Sequence, residues 1–363
     1  MAEHVLISGA TGVVGYAAMK HFAQRGDCTV TAISRRRPLE TFGARFQSLD
    51  LMNAQACQEF ADELTDVTRL VYAALYEKPG LYGGWFEADQ IETNRRMLEN
   101  LFDPLEKAAS GLRHVSLLQG TKAYGAHVRP IRVPARENRD EVRDVPNFYW
   151  EQEDYIRARQ TGKSWHFTIF RPQVIFGLSI GAAMNLIPAI GVYAALRKER
   201  NEPLAYPGGV GPVIEAVDAD LLARAINWAG TTPAARNEIF NIANGDVFSW
   251  QNIWPAIADA LGMEPGPDMS ERLGESMPTR EAEWDKIRTK YSLVSPRLLD
   301  FVGESFHYAD FVMAHGAQGA VPPAIVSTIK LRQAGFHEVM DTEVMFRKWF
   351  ALFQEMKLLP PVA

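Results

Sequence analysis

Three glycines near the beginning of the sequence have the spacing of a loop that binds a pyrophosphate. Gly9, Gly12 and Gly15 form GATGVVG, directly after an apolar run and at the start of a helical pattern. Glycine permits a tight turn and a close approach of backbone to phosphate, and the first turn of a helix offers free N–H groups and a partial positive charge. Spaced glycines also serve turns and helix packing, so the strand–turn–helix context carries the inference. The loop predicts a bound dinucleotide.

Three consecutive arginines follow the second apolar run, at the point where a dinucleotide-binding domain meets the adenosine ribose. Arg35 lies twenty residues beyond Gly15, and Arg36 and Arg37 follow it. An acid at this point binds the 2′-hydroxyl of NAD, whereas arginine accommodates the 2′-phosphate of NADP. Residues 29–39 contain no acid. We therefore predict NADPH as the cofactor; the alternative is a solvated basic turn without a ligand.

Other candidate cofactor-binding residues lie in the glycine loop or directly after predicted strands. The Asp50 carboxylate could accept a hydrogen bond from the adenine amino group, or it could cap the helix that begins near MNAQA. Pro172, Val174 and Ile175 follow the sixth predicted strand, where they would line the nicotinamide. The remaining candidates are Thr11, Val13, Val14, Ser34, Leu51, Ala73, Ala74, Leu75 and Gln119.

A tyrosine and a lysine are the residues that would complete the chemistry of a short-chain dehydrogenase. In a Tyr-x-x-x-Lys motif the lysine lowers the pKa of the tyrosine and holds the ribose. Here Tyr149 is followed by WEQE, Tyr124 by GAHV and Tyr155 by IRAR, so none of them has a lysine four positions later. Either the chain is not a reductase of this kind, or its lysine comes from another segment.

Alternating strand and helix patterns in the first half predict the scaffold that would hold these residues. Helical patterns at 11–26, 53–63 and 86–108 separate apolar runs that are typical of buried strands. Continuous apolar strands separated by helices predict a parallel sheet that is covered on both faces. The fold class is therefore α/β, with a Rossmann-type, doubly wound parallel sheet. The six runs are HVLISG, CTVTAIS, RFQSLDL, RLVYAAL, HVSLLQG and HFTIFRPQVIFG.

The second half has a different pattern, in which helical stretches are separated by joints rich in Pro and Gly. We expect residues 1–177 to form the NADPH-binding domain and residues 178–363 to form a smaller, mostly helical substrate lobe. EIFNIANG, at 238–245, has the pattern of a strand that could return to the main sheet. The helical stretches are 182–200, 217–229, 249–262 and 341–356.

Composition and charge argue against several classes of function. The chain has 363 residues and a formal net charge of −6, which disfavours nucleic acid or an anionic membrane as a partner. Its two cysteines, Cys28 and Cys57, form no metal-binding or disulfide pattern. MAEHVLISGA lacks the features of a signal peptide, and the apolar stretch 182–196 is broken by Pro188. We expect a cytoplasmic protein without a metal site, and the sequence leaves open whether it forms a homodimer.

Several segments resemble the progesterone 5β-reductase/iridoid synthase-like enzymes, an atypical branch of the extended short-chain dehydrogenases/reductases. The resemblance extends from the glycine loop to IKLRQAGF at 329–336, and its most specific motifs are GTK-x-Y and NFY. It implies an extended Rossmann fold, NADPH as the cofactor, and 1,4-reduction of the C=C bond of a small apolar enone. The matching segments are LLQGTKAYG, PNFYWEQED, FRPQVIFGLSIGAAMNL, VYAALRKE and FNIANGDVFSWQNIW.

The resemblance assigns the catalytic residues one by one. The lysine of GTK-x-Y corresponds to Lys122 and the tyrosine of NFY to Tyr149, so the pair comes from two segments. It implies that Tyr149 donates a hydrogen bond to the substrate carbonyl oxygen and that Lys122 holds the nicotinamide ribose. We expect the Lys122 ammonium within direct or water-bridged hydrogen-bond distance of Tyr149 or of that ribose. Met184 and Tyr193 are candidates to cover the substrate, although their stretch, 182–196, could equally be helix core.

The sequence departs from the plant members of this branch in two places, and other functions stay open. Residues 126–145 are short and rich in arginine, and KPGLYGGW at 78–85 is particular to this chain, so the substrate does not transfer with the resemblance. One alternative is a carbonyl reductase or a sugar-nucleotide epimerase/dehydratase, against which the missing Tyr-x-x-x-Lys argues. Another is a non-enzymatic NADPH-binding sensor, against which the presence of both Lys122 and Tyr149 argues.

Overall fold

Short apolar strands form one main sheet and two small ones. The computed structural model describes residues 3–362, so residues 1, 2 and 363, which begin and end the two expected domains, lie outside the described chain. The strands are β1 (Glu3–Ser8), β2 (Cys28–Ser34), β3 (Arg45–Ser48), β4 (Arg69–Tyr72), β5 (His114–Leu118), β6 (His166–Pro172), β7 (Val174–Phe176), β8 (Leu204–Tyr206), β9 (Ala216–Asp218), β10 (Glu238–Ile242) and β11 (Pro265–Asp268).

The main sheet is parallel throughout and has the strand order β10-β6-β5-β4-β1-β2-β3. Val5 of β1 pairs with Val30 of β2 on one side and with Arg69 of β4 on the other. The order of the strands therefore reverses at β1, and the crevice beyond the carboxyl ends of β1 and β4 is the place where doubly wound sheets bind ligands. β7 pairs with β9, and β8 with β11, in two small parallel sheets.

Helices cover both faces of the main sheet, as the apolar character of its strands requires. α1 and α6 pack together on one face, while α2, α3 and α4 pack on the other. The helices are α1 (Val13–Arg25), α2 (Ala54–Asp62), α3 (Ala88–Ala108), α4 (Phe148–Gln160), α5 (Leu186–Lys198), α6 (Ala219–Ala229), α7 (Trp250–Ala260), α8 (Leu273–Ser276), α9 (Glu281–Tyr291), α10 (Leu298–Val302), α11 (Ser305–Val312), α12 (Ile329–Gln333) and α13 (Thr342–Glu355).

The predicted α/β class and the six predicted strands are confirmed, and so are the predicted helices of the first half. The helical pattern at 182–200 is shorter than predicted, because Asn185 caps α5 by accepting a hydrogen bond from the N–H of Ile187 at 3.3 Å. No pattern in the sequence predicts α4, since this helix buries polar Gln152 and Glu153 beside its aromatic residues and so lacks an apolar period of 3.6 residues.

Elements of the second half contribute to both sides of the molecule. β10 pairs in parallel with β6 at the edge of the main sheet, and α6 lies beside α1. Among the other helices of the second half, α12 packs beside β10, and the rest pack against one another. The division into two domains at residue 177 stays a prediction. Among residues 3–362, the structure has no helix with the length and apolar character of a membrane span.

Candidate active site

A cavity of about 1020 Å³ lies beyond the carboxyl ends of the strands, between the main sheet and the helices of the second half. The glycine loop, the strand ends and α11 all contribute to its walls. Almost all of the predicted site residues line it: Gly9, Thr11, Gly12, Val13, Val14, Ser34, Arg35, Arg36, Asp50, Leu51, Ala73, Ala74, Leu75, Gln119, Lys122, Tyr149, Pro172, Val174, Ile175 and Met184. The structure therefore brings together residues from the whole first half of the chain.

The glycine loop fits a pyrophosphate closely. Gly9 has φ +77°, and a Cβ built on it would lie 2.5 Å from the carbonyl oxygen of Ala73. Gly12 caps α1 without a side-chain hydrogen bond, and the first turn of that helix holds no acid. The N–H groups of Val13 and Val14 have no backbone acceptor within residues 3–362 and point toward a ligand site at the start of the helix.

Gly15 does not line the cavity, which corrects the prediction that it contacts the cofactor. A Cβ on Gly15 would lie 2.1 Å from the carbonyl oxygen of Gly9. Its role is therefore to let α1 pack against the loop, so that the loop keeps its shape. Glycine is required at this position for packing rather than for contact with a ligand.

Two of the three consecutive arginines face the cavity. Arg35 and Arg36 line it, and no Asp or Glu within residues 3–362 forms an ion pair with either guanidinium. One nitrogen of Arg36 lies 3.4 Å from the carbonyl oxygen of Ile180, which brings the side chain across the cavity edge. Arg37 is turned away, with its guanidinium 5.5 Å from the ring centroid of Phe46. The site thus offers two uncompensated cations where an adenosine 2′-phosphate would lie.

Asp50 and Gln119 line the cavity but already have protein partners. The Asp50 carboxylate accepts a hydrogen bond from the N–H of Met52 at 3.0 Å, whereas Asn53 caps α2, so the alternative of Asp50 as the helix cap is wrong. The Gln119 amide donates to Glu153 at 2.9 Å and accepts from Arg171 at 2.6 Å. Gln119 therefore fastens α4 to the ends of β5 and β6.

Tyr149 lies in the first turn of α4, with its hydroxyl above the end of β5. The side chain of Asn147 accepts the N–H of Tyr149 at 3.1 Å, and the Tyr149 carbonyl accepts from Gln119 at 3.3 Å. A Cβ on Gly120 would lie 3.1 Å from the Tyr149 hydroxyl oxygen and 3.5 Å from the carbonyl oxygen of Pro172. The hydrogen bonds of Tyr149 within residues 3–362 use its backbone atoms alone, which leaves the hydroxyl for a ligand.

Lys122 reaches the same part of the cavity from a turn after β5. Its Nζ lies 5.6 Å from the ring centroid of Tyr149, so the two segments converge at the carboxyl edge of the sheet, but no direct hydrogen bond joins them. The nearest carboxylate is that of Glu77, whose Oε1 lies 3.6 Å from Nζ. The face of Trp85 lies 4.2 Å from the same nitrogen. Lys122 is thus held between an anion and an aromatic ring.

Burial dominates the ionisation of this cluster. It raises the pKa of Tyr149 well above its ordinary value, and the charge of Glu77 raises it further. Burial lowers the pKa of Lys122, and the negative charge of Glu77 partly opposes this decrease. Burial raises the pKa of Glu77, and the positive charge of Lys122 partly opposes this increase. Burial and then Lys122 lower the pKa of His127 to about 4, so its imidazole is neutral at neutral pH. The phenol of Tyr149 is therefore a stable hydrogen-bond donor.

The remainder of the cavity wall is mainly apolar and aromatic. Met184 lines it from the loop before α5, and its contact with a substrate stays a prediction. Tyr193 does not line the cavity: it is 1% exposed inside α5, and its hydroxyl donates to the carbonyl oxygen of Ala205 at 3.1 Å, so its assignment to the substrate is wrong. α5 is buried on all sides, and Tyr193 therefore belongs to the helix core. Other lining residues of this part are Trp85, Ile131, Ile214, Tyr308, Phe311 and Val312.

Sequence reasoning missed three residues of this cluster. Trp85 belongs to the segment 78–85 that departs from the plant members, and Glu77 directly precedes that segment. Tyr308 comes from α11, a helix that the sequence patterns do not predict. A lone Glu after a strand and a lone Tyr in a helix have no spacing that distinguishes them from surface or core residues. Their proximity to Lys122 and Tyr149 depends on the tertiary fold.

Comparisons with known proteins match nearly the whole chain. A family model described as a PRISE-like Rossmann-fold domain matches residues 5–360. The chain is 31% identical over 381 residues to an (S)-8-oxocitronellyl enol synthase from Antirrhinum majus, with 98% of this chain and 92% of the relative covered. It is 30% identical over 375 residues to a 3-oxo-Delta(4,5)-steroid 5-beta-reductase from Arabidopsis thaliana, again with 98% and 92% covered.

Solved structures resemble the fold at lower sequence identity. A crystal structure of UDP-glucose 4-epimerase superposes with a TM-score of 0.69 at 14% identity, covering 97% of this chain and 98% of that one. The Thermus thermophilus UDP-glucose 4-epimerase, solved as a complex with NAD, gives a TM-score of 0.67 at 16% identity, covering 97% and 99%. At these identities the likeness shows the fold alone.

Proposed function

The chain belongs to the PRISE-like Rossmann-fold domain family, and from this premise we propose that it is an NADPH-dependent oxidoreductase that reduces the C=C bond of activated enones. The observation that carries the proposal is the position of the free Tyr149 hydroxyl, which shares one largely apolar cavity with the glycine loop and Lys122. By their names, one of the relatives described above synthesises an (S)-8-oxocitronellyl enol and the other is a 5-beta-reductase of 3-oxo-Δ4,5-steroids. A small apolar enone is the corresponding substrate class here.

The residues of the first half fit NADPH. The glycine loop and the first turn of α1 would hold the pyrophosphate through backbone N–H groups. Arg35 and Arg36, which have no carboxylate partners, would hold the 2′-phosphate by charge-assisted hydrogen bonds. Pro172, Val174 and Ile175 would line the nicotinamide. When bound, NADPH supplies a hydride to the substrate.

Tyr149 is the residue we propose to stabilise the reacting oxygen. During 1,4-reduction the β-carbon is reduced and negative charge gathers on the carbonyl oxygen of the enone. A phenol that stays protonated can donate a hydrogen bond to that oxygen as an oxyanion hole does. Lys122, whose Nζ lies 5.6 Å from the centroid of the Tyr149 ring, would hold the nicotinamide ribose next to this tyrosine. The apolar and aromatic wall would exclude water from the hydrocarbon part of the substrate and hold it against Tyr149.

Sugar-nucleotide chemistry is less well supported by the site than by the fold. The position four residues after Tyr149 is occupied by Glu153, a buried carboxylate that is bound to Gln119 and Arg171. A lysine at that position would lower the pKa of the tyrosine in a Tyr-x-x-x-Lys enzyme. The part of the wall formed by Ile131, Phe311 and Val312 suits an apolar substrate better than a hydroxyl-rich sugar.

The proposal is tested by following NADPH and NADH oxidation by the purified protein. The substrates are cyclic enones, steroid enones, enals, saturated ketones and UDP-sugars, with product identification. We expect NADPH oxidation with apolar enones and a saturated carbonyl product. Turnover of a UDP-sugar, or of saturated ketones alone, would overturn the proposal.

A further inference from the structure

The Lys122 ammonium has an anionic partner that the sequence motifs do not include. Glu77 Oε1 lies 3.6 Å from Lys122 Nζ, and Glu77 Oε2 accepts a hydrogen bond from Gln90 Nε2 at 2.6 Å. The Glu77 side chain is 3% exposed and that of Lys122 is 12% exposed. A buried carboxylate next to a buried ammonium compensates its charge far more strongly than a surface pair would.

The backbone around Glu77 is fixed by α3, so the carboxylate is not free to turn away. Asn94 accepts the N–H of Tyr76 and donates to the carbonyl of Tyr76, both at 2.9 Å. Gln90 accepts the N–H of Lys78 at 3.0 Å while its amide donates to Glu77. Residues on both sides of Glu77 are therefore fastened to the same helix, and the carboxylate is held toward Lys122.

We propose that Glu77 is a positioning residue that holds the Lys122 ammonium and cancels its charge at Tyr149, so that Tyr149 keeps its proton and acts as a hydrogen-bond donor. This inference rests on the proposed function. In a Tyr-x-x-x-Lys reductase an uncompensated lysine promotes proton transfer from the tyrosine to an alkoxide. Reduction of an enone C=C bond needs only a hydrogen bond to the oxygen that gathers charge, so the compensated pair suits that reaction and disfavours carbonyl reduction.

The charged and titratable groups around the pair agree with this assignment. From α4, Tyr149 has a raised pKa, for which burial is the first cause and Glu77 the second. From α11, Tyr308 has a raised pKa for the same two reasons. His127, with a pKa of about 4, is neutral in the alkaline range. From β6, Arg171 lowers the pKa of Tyr149, but it is itself paired with Glu141 and Glu153.

The first test is the pH dependence of kcat/KM with an apolar enone for wild type and Glu77→Gln. The amide keeps the size of the side chain and removes the charge. Without the anion, the ammonium of Lys122 and the phenol of Tyr149 both lose their protons at lower pH. The fall in kcat/KM on the alkaline side of the profile should therefore occur at a pH that is lower by about one unit or more. Glu77→Asp, which keeps the charge, should restore most of the wild-type profile. Glu92→Gln, an exposed carboxylate on α3, should leave the profile unchanged.

The second test measures the ionisation of Lys122 directly and does not require turnover of an enone. Competitive acetylation with acetic anhydride, followed by mass spectrometry across a pH series, gives the pKa of Lys122 in the free protein. We expect a lower pKa in Glu77→Gln than in wild type. If wild type reduces no enone, the proposed function fails, while this measurement still decides whether Glu77 holds Lys122. An unchanged Lys122 pKa, or an unchanged alkaline limb in a folded Glu77→Gln protein, would overturn the inference.

Discussion

The polar residues at the strand ends differ in whether their side chains already have hydrogen-bond partners in the protein. Within residues 3–362 the Tyr149 hydroxyl and the Arg35 guanidinium have no protein partner, and Arg36 has no carboxylate partner but donates to the carbonyl oxygen of Ile180 at 3.4 Å. Gln119 and Asp50, in contrast, use side-chain polar atoms in the fold. A donor without a protein partner at the wall of a cavity is available to a ligand. When the ligand displaces water from this donor, an acceptor on the ligand must replace the lost hydrogen bond. This difference separates the residues that would meet cofactor and substrate from those that position them.

Replacement of Tyr149 by Phe tests the hydrogen bond to the substrate oxygen. We expect kcat/KM for apolar enones to fall by about 10²–10³, the cost of removing one oxyanion donor. Some activity should persist, because the positioned substrate still benefits from proximity. The matched control is Tyr155→Phe on the same helix, whose hydroxyl donates to Asp103 at 2.8 Å outside the cavity. Equal losses in the two variants would contradict the role of Tyr149.

Replacement of Arg35 and Arg36 by Ala tests the cofactor preference. Loss of charge-assisted hydrogen bonds to a 2′-phosphate should raise the Kd for NADPH by about tenfold or more. The Kd for NADH should stay nearly constant, as measured by fluorescence titration. Arg37→Ala is the control, because that guanidinium lies over Phe46. Equal affinity of the wild type for both cofactors would remove the basis of the assignment.

Sequence patterns predicted the site residues that are recognised by their spacing along the chain. They did not predict the residues that only the tertiary fold brings to the site. The glycines and arginines have fixed distances along the chain and were found from these alone. Tyr149 and Lys122 were chosen through the family motifs, since three tyrosines were equally compatible with the sequence. Glu77 belongs to no sequence motif. Tyr193 was assigned wrongly, because an apolar stretch does not show which of its residues face a cavity and which are buried in the core.

At the scale of elements, the site depends on how closely α1 and α4 approach the sheet. Gly15 lets α1 pack on the loop, and Arg171 links α4 to β6. Arg171 is fully buried, with nitrogen–oxygen distances of 2.7 Å to Glu141 and 3.4 Å to Glu153. The burial of such polar partners explains why the helical pattern of α4 was invisible in the sequence, and it makes α4 dependent on the network behind it.

Replacement of Gly15 by Ala tests the packing of α1. The added methyl would meet the carbonyl oxygen of Gly9 at 2.1 Å, so the loop or the helix must move. We expect a loss of about 1–3 kcal/mol in the free energy of unfolding and much weaker NADPH binding. Urea unfolding and cofactor titration measure the two effects. Gly83→Ala, where a Cβ meets no atom within 4 Å, should change neither appreciably.

Replacement of Arg171 by Met tests the network behind α4. The variant removes the buried cation beside Glu141 and Glu153 and the donor to the Gln119 side chain. Because Glu153 keeps ion pairs with Arg157 at 2.9 Å and Arg143 at 3.3 Å, we expect a loss of about 1–3 kcal/mol in the free energy of unfolding. Arg45→Met, which removes a surface pair with Glu63, should cost at most about 1 kcal/mol. A loss in Arg171→Met no larger than that of the surface variant would show that the network does not hold the helix.

At the scale of the whole molecule, the fold was predictable because parallel strands are continuously apolar and helices alternate with them. The strand order could not be obtained from the patterns, because the return of β10 to the edge beside β6 depends on contacts between distant segments. The helices α8 to α12 were also missed; all of them except α9 have eight residues or fewer, so they show little periodicity of their own. The cavity lies between the strand ends and α11, so residues of both halves line it.

In the proposed reaction, hydride adds to the β-carbon of an enone while the Tyr149 hydroxyl binds the carbonyl oxygen. The most direct measurement uses NADPH that carries deuterium at both positions of nicotinamide C4, an apolar cyclic enone and the wild-type protein, with the product analysed by NMR. We expect a saturated ketone with deuterium on the β-carbon. An allylic alcohol with deuterium on the carbinol carbon and an intact C=C bond would contradict it.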